Sequence, residues 1–97
     1  MKKAYRLVGI VHSGIKGDRG TPVTEDKYDG LINAKVEFDP DNIVVGSRFN
    51  FDVIHNPYYD WWSTSDVLHK DYDEEDGVWV VETFYSIYYF QEKEHCL

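Results

Sequence analysis

Residues 60–91 alternate β-branched and aromatic residues with turn-forming residues at short intervals, and this pattern restricts the chain to a β-rich fold. Residues 78–83 (VWVVET) form the clearest predicted strand, and the Asp76-Gly77 pair before it indicates a hairpin turn. Residues 87–91 follow as the last strand. Residues 84–86 between them are predicted to form either a tight turn or a bend within one long strand. Apolar residues do not recur at sustained helical spacing, so we expect little helix.

The same alternation predicts four earlier strands, at residues 3–11, 31–38, 47–55 and 66–72. A chain of 97 residues holds one domain, because a second core would bury too little surface. We therefore expect an all-β fold, a small SH3-like or OB-like barrel of five to six antiparallel strands, with the SH3-like form preferred. In the second predicted strand the inward residues are Ile32, Ala34, Val36 and Phe38, and in the third one side carries Phe49, Phe51 and Val53. In the first strand one face carries Tyr5, Leu7, Gly9 and Val11 and the other carries Arg6, Val8 and Ile10, and both faces are partly apolar.

Residues 13–30 form a long polar loop with glycines at positions 14, 17 and 20. A loop that cradles phosphate needs a following helix and a Gly-Lys-Ser/Thr ending, and neither pattern follows here. We interpret it as a flexible connection. Because it contains Lys16 and Arg19, it is also the most basic part of the chain and, with Arg48, the first candidate site for an anion.

The net charge of −8 argues against broad contact with nucleic acid or an anionic membrane, because both require a dense Lys/Arg surface. It is compatible with a partner that has a basic face, with a small anion in a locally basic pocket, or with solubility alone.

The single cysteine, Cys96, excludes an internal disulfide, and no apolar run approaches 18 residues. Together with the absence of a signal-peptide pattern in residues 1–11, this predicts a soluble cytoplasmic protein. Residues 92–97 are expected to be a frayed tail.

Neither a catalytic nor a metal-binding pattern is present. Histidines occur singly, without the paired spacing of a zinc site, and the acidic run at residues 71–76 lacks the register of a calcium-binding loop. Serines lack a nucleophile motif. We therefore expect a protein that is not an enzyme and that has no cofactor.

The aromatic cluster Tyr58, Tyr59, Trp61 and Trp62 is the best candidate for a binding site. Neighbouring residues on a strand point to opposite faces, so at most one of the two tryptophans joins the core. The other would lie on a surface, where exposed rings are typical of stacking platforms and interface anchors. The alternative is a loop that covers one end of the barrel and buries both rings.

Residues 62–90 resemble the C-terminal part of small β proteins from phages and mobile elements. Their pattern is Thr-Ser-x-Val, an acidic turn, an apolar strand ending in Thr, and then x-Asn-Ser-x-Tyr-x-Phe/Leu. The chain departs from it at Tyr85, which replaces the asparagine. The matching residues are Thr64, Ser65, Val67, Trp79, Val81, Thr83, Ser86, Tyr88 and Phe90.

The resemblance implies a bacterial host cell and a role in phage–host conflict, and two hypotheses follow. The first is a homo-oligomeric sponge that sequesters a nucleotide-derived immune signal. The second is a decoy whose acidic face, Asp60 and residues 66–76, covers the basic groove of a host defence enzyme. A structural phage or plasmid protein is a third option. The sponge would stack a base on Trp61 or Trp62 near Tyr59, bind phosphate with Lys16, Arg19 or Arg48, and use the hydroxyls of Thr64, Ser65 and Ser86.

Overall fold

The protein is a closed barrel of six antiparallel strands in a computed structural model that describes residues 1–92. Each strand pairs with the next in the chain, and β6 closes the barrel by pairing with β1. The predicted all-β barrel of antiparallel strands is confirmed. The strands are β1 (Lys3–His12), β2 (Lys35–Phe38), β3 (Arg48–Ile54), β4 (Trp61–Asp73), β5 (Val78–Thr83) and β6 (Ser86–Glu92), with short 3-10 helices at Asp26–Tyr28 and Pro40–Asn42.

The barrel interior is filled by phenylalanines that pack edge to face. The ring of Phe90 lies 4.9 Å from that of Phe38, 5.8 Å from that of Phe49 and 5.2 Å from that of Phe51, at steep angles. Such pairs add to the free energy gained by burying the rings. Phe49, Phe51 and Val53 alternate inward along β3, as predicted.

The predicted strand at residues 31–38 is wrong in its first half. Asn33 has a φ of 68°, which ends extended pairing, and β2 starts only at Lys35. Consequently Ile32 is exposed, whereas Leu31 is fully buried. Leu31 and Tyr28 enter the core from the β1–β2 connection, and Ile43 enters it from the β2–β3 connection.

A β-bulge at Val8 changes which face of β1 points inward. Leu7 pairs with Phe90 and Gly9 with Tyr89, so Val8 is the extra residue. After the bulge the buried residue is Ile10, and the prediction that Gly9 and Val11 share one face with Leu7 is therefore wrong.

The C-terminal strands extend further than the alternation predicts. β4 starts at Trp61 rather than Asp66, and so includes the tryptophans. Residues 84 and 85 form a tight turn, and Ser86 already belongs to β6. The tail is expected to begin at Glu92, but Glu92 is the last residue of β6 and donates its N–H to the carbonyl of Gly77. The other residues of the expected tail, 93–97 with Cys96, lie outside the described residues.

We expect Phe90→Ala to lower the free energy of unfolding by about 3–5 kcal/mol, because it opens a cavity where four aromatic rings meet. Urea unfolding followed by circular dichroism measures the change. Val45→Ala, at a side chain that is 56% exposed, is the control and should change stability by less than about 0.5 kcal/mol. Equal effects of the two substitutions would contradict this packing.

Candidate functional site

The two neighbouring tryptophans point to opposite sides of β4. Trp62 packs against the core, and its indole N–H donates to the hydroxyl of Tyr88 over 3.1 Å. Burial raises the pKa of Tyr88, although the bond from Trp62 acts in the opposite direction. Trp61 is 62% exposed. The prediction that only one indole joins the core is confirmed, and the alternative with both rings buried is wrong.

Tyr59 supports Trp62 and is held by the chain around it. Its ring meets Trp62 edge-on at 5.2 Å, and its hydroxyl donates to the carbonyl of Lys27. The side-chain oxygen of Asn56 accepts the backbone N–H groups of Tyr58 and Tyr59, which shapes the turn before β4. Tyr59 and Trp62 therefore stabilise the fold around the site. Tyr58 and Trp61 are the exposed rings of this segment, and Trp61 is the one that lies on a strand.

Trp61 stands at the end of a row of outward residues that crosses four strands. In this row Ala4 pairs with Glu37, Glu37 with Asp52, and Asp52 with Trp61. The ring borders an open groove of about 470 Å³ that Glu37, Asp39 and Asp52 also line. The surroundings of the exposed indole are therefore acidic.

Two cations offset part of this charge. Lys2 lines the groove, and the terminal amine is bonded to Asp39. The ammonium group of Lys2 forms an ion pair with the carboxylate of Asp52, which raises the pKa of Lys2. The pKa of Asp39 is lowered, first by its hydrogen bond with the terminal amine and then by the N–H of Asp41. The carboxylate of Asp39 therefore stays ionised at neutral pH.

The candidate hydroxyls are mostly bonded to the backbone. Thr64 is buried, accepts the N–H of Phe49 and donates to the carbonyl of Ser65, where Thr64 and Ser65 together oppose Phe49 in a bulge. Ser86 is also buried, and its N–H donates to the hydroxyl of Thr83. Neither reaches the Trp61 groove. The Thr-Ser and Thr-x-x-Ser parts of the C-terminal pattern thus have structural roles.

The three candidate phosphate-binding cations lie away from Trp61. Arg19 forms a bidentate ion pair with Glu82, with N–O distances of 2.8 and 2.9 Å. Lys16 lies 4.5 Å from the centre of the Tyr85 ring. Arg48 lines a separate hollow of about 250 Å³ together with Ser65.

Two groups of residues were missed by the sequence prediction. The alternation of their strands predicts that Glu37 and Asp52 do not share the apolar side. That they lie close to Trp61 depends on the register across β2, β3 and β4, which the sequence does not give. Phe84 and Tyr85 were treated only as turn residues, yet both side chains are exposed.

Residues 1–92 contain no group of three or more His, Cys, Asp or Glu side chains placed to hold a metal ion. Within the same range, no helix has the length and apolar character needed to span a membrane.

Comparison with known proteins does not assign the chain to a family. No family model matches it, and neither a curated protein nor a solved structure is significantly similar to it. The resemblance of residues 62–90 to phage proteins therefore stays a prediction.

The ion pair between Arg19 and Glu82 generates a pH-dependent prediction. Its hydrogen bonds lower the folded-state pKa of Glu82, so its stabilisation is present above the unfolded-state pKa and is lost as the pH falls through the folded-state value. Because Arg19 is largely exposed, we expect Glu82→Gln to cost only about 0.5–1 kcal/mol at pH 7.

Urea unfolding of both proteins between pH 7 and pH 3 tests this expectation. The two stabilities should converge as the pH falls below about 4. If the difference in free energy of unfolding between the two proteins is the same at pH 3 as at pH 7, the charge of Glu82 is not the source of the stabilisation. Glu25→Gln, which removes an exposed carboxylate that lies 3.4 Å from Lys27, is the control.

Proposed function

We propose that this protein is a non-catalytic binding protein that holds a basic surface of a partner protein against the face centred on Trp61. The observation that carries the proposal is an indole that is 62% exposed on a regular strand, directly across from Asp52. Tryptophan is enriched among residues that dominate binding energy, and its ring face attracts Lys and Arg side chains.

The charges around the ring favour a cationic group. Glu37, Asp39 and Asp52 line the groove beside Trp61. The ion pair between Lys2 and Asp52 is exposed on both sides, so an incoming arginine can replace Lys2 at modest cost. An arginine of the partner would stack on the indole and bind one of these carboxylates.

The rest of the acidity acts at longer range. Residues 73–76 form an acidic turn beyond the far end of β4 from Trp61, and all four side chains are exposed. They do not share one contact face with the ring, but they add to the negative field that steers a basic partner toward the protein. If the resemblance to phage proteins is correct, the partner is a host defence enzyme and the protein acts as a decoy for its basic groove.

A short arginine-rich peptide tests the site by nuclear magnetic resonance of the three indole N–H groups. We expect the Trp61 signal to shift on titration, while the Trp62 signal, whose proton is bonded to Tyr88, stays in place. The double variant Glu37→Gln/Asp52→Asn should weaken binding by about tenfold, as expected for loss of interface charge pairs.

The variant Asp73→Asn/Asp76→Asn is the matched control, because it removes the same net charge from the distant turn. It should reduce affinity about twofold or less, since only long-range steering is lost. Equal losses in the two double variants would indicate nonspecific attraction and would contradict the proposed face. A Trp61 signal that does not move would contradict it as well.

The second candidate is the predicted sponge, a homo-oligomer that sequesters a nucleotide-derived signal. The observation in its favour is the open groove beside Trp61, whose volume of about 470 Å³ suits a ligand of nucleotide size. Its weakness is electrostatic, because Glu37, Asp39 and Asp52 would repel a phosphate, and Lys16, Arg19 and Arg48 do not line this groove.

Calorimetric titration with AMP and with a cyclic dinucleotide tests the sponge. Capture should be abolished by Trp61→Ala with the fold intact, whereas Tyr58→Ala, at another exposed ring of the same segment, should bind normally. Native mass spectrometry of the complex should show more than one subunit per ligand. Binding that is unaffected by Trp61→Ala would place any nucleotide elsewhere.

A further inference from the structure

The turn between β5 and β6 presents two exposed aromatic side chains. Phe84 is 44% exposed and Tyr85 is 39% exposed, and their rings meet edge-on at 4.8 Å. Tight hairpin turns usually contain Gly, Asn or Asp. Phe84 and Tyr85 form this turn with negative φ. Among the described residues other than glycine, only Asn33 and His55 have a positive φ.

This turn is rigidly held by hydrogen bonds. At its base, the hydroxyl of Thr83 bonds to both the N–H and the carbonyl of Ser86. On one side, the turn is bonded to β4. The N–H of Phe84 donates to the carbonyl of Asp66, and the N–H of Tyr85 donates to the hydroxyl of Ser65.

Ser13 holds the turn from the other side. Its N–H donates to the carbonyl of Tyr85, and its hydroxyl donates to the carbonyl of Phe84. The backbone of both aromatic residues is therefore fixed in advance. Contacts made by a preorganised segment cost less conformational entropy when a partner binds.

The surroundings of these rings combine apolar surface with positive charge. Leu68, which is 50% exposed, lines a hollow of about 250 Å³ together with Phe84 and Arg48. The ammonium group of Lys16 lies over the ring of Tyr85. Asp66 also lines the hollow, so the two cations Arg48 and Lys16 outnumber its carboxylate by one.

We infer that the Phe84–Tyr85 turn is a preformed docking site for an acidic, leucine-rich or aromatic-rich segment of a second protein. An apolar side chain of that segment fills the hollow between Phe84 and Leu68, and its carboxylates bind Arg48 and Lys16. The argument for this occupant is charge complementarity together with exposed apolar surface. A phosphate-bearing ligand fits less well, because it would leave the exposed apolar side chains of Phe84 and Leu68 uncovered.

The docking site is separate from the Trp61 face and has the opposite charge preference. Trp61 starts β4, and Leu68, which borders the docking site, follows seven residues later on the same strand, which corresponds to about 23 Å. One copy of the protein thus has room for a basic partner at Trp61 and an acidic one at the turn.

A capped peptide of alternating glutamate and leucine, titrated into isotopically labelled protein, tests the docking site. We expect shifts of the backbone signals of Phe84, Tyr85 and Arg48, and a loss of affinity of about tenfold in Phe84→Ser, the size expected when an anchor residue is removed. Trp61→Ser, the matched control at another exposed ring, should bind the peptide normally. Arg48→Gln should weaken binding without loss of any packed side chain, because Arg48 is exposed.

Three outcomes would overturn the inference. The first is an absence of shifts at the turn, and the second is an equal loss of affinity in Phe84→Ser and Trp61→Ser. The third is a titration in which AMP shifts the turn signals and the peptide does not, which would assign the hollow to a nucleoside phosphate. None of these outcomes affects the Trp61 face, which is tested by the arginine-rich peptide.

Discussion

Pairing of β6 with β1 closes the barrel, and the remaining features depend on that closure. The pairing runs from Tyr5 opposite Glu92 to His12 opposite Ser86. It leaves no free sheet edge along these strands and forces the inward side chains into one space, where Phe90 meets the other phenylalanines. Each strand then has one buried face and one outward face, and the outward faces carry the candidate sites.

Closure also explains why many residues predicted to bind a ligand are engaged by the fold. The hydroxyls of Thr64 and Ser65 accept backbone N–H groups at a bulge and at a turn, where an unsatisfied N–H would be costly. Arg19 joins the early loop to β5 through Glu82. Many polar residues of a small barrel form hydrogen bonds and ion pairs within the fold. Only those without such a partner are available to bind another molecule.

Two surfaces then differ from the ordinary polar exterior. The Trp61 face is aromatic and acidic, and the Phe84–Tyr85 turn is aromatic and basic. Both are anchored on the long strand β4. A small protein with two rigid aromatic surfaces of opposite charge preference is suited to holding partners, and this arrangement of exposed rings and charges supports a binding role.

The alternation of apolar residues determined the all-β fold, the strands from residue 47 onward apart from the start of β4, and the placement of at most one of Trp61 and Trp62 in the core. Strand side chains alternate by local geometry alone. Tertiary structure decided the remainder. The bulge at Val8 and the positive φ of Asn33 changed which residues face inward. The alternation of apolar and polar residues does not predict either feature. The neighbours of Trp61 and Phe84 come from cross-strand register, which depends on how the whole barrel closes.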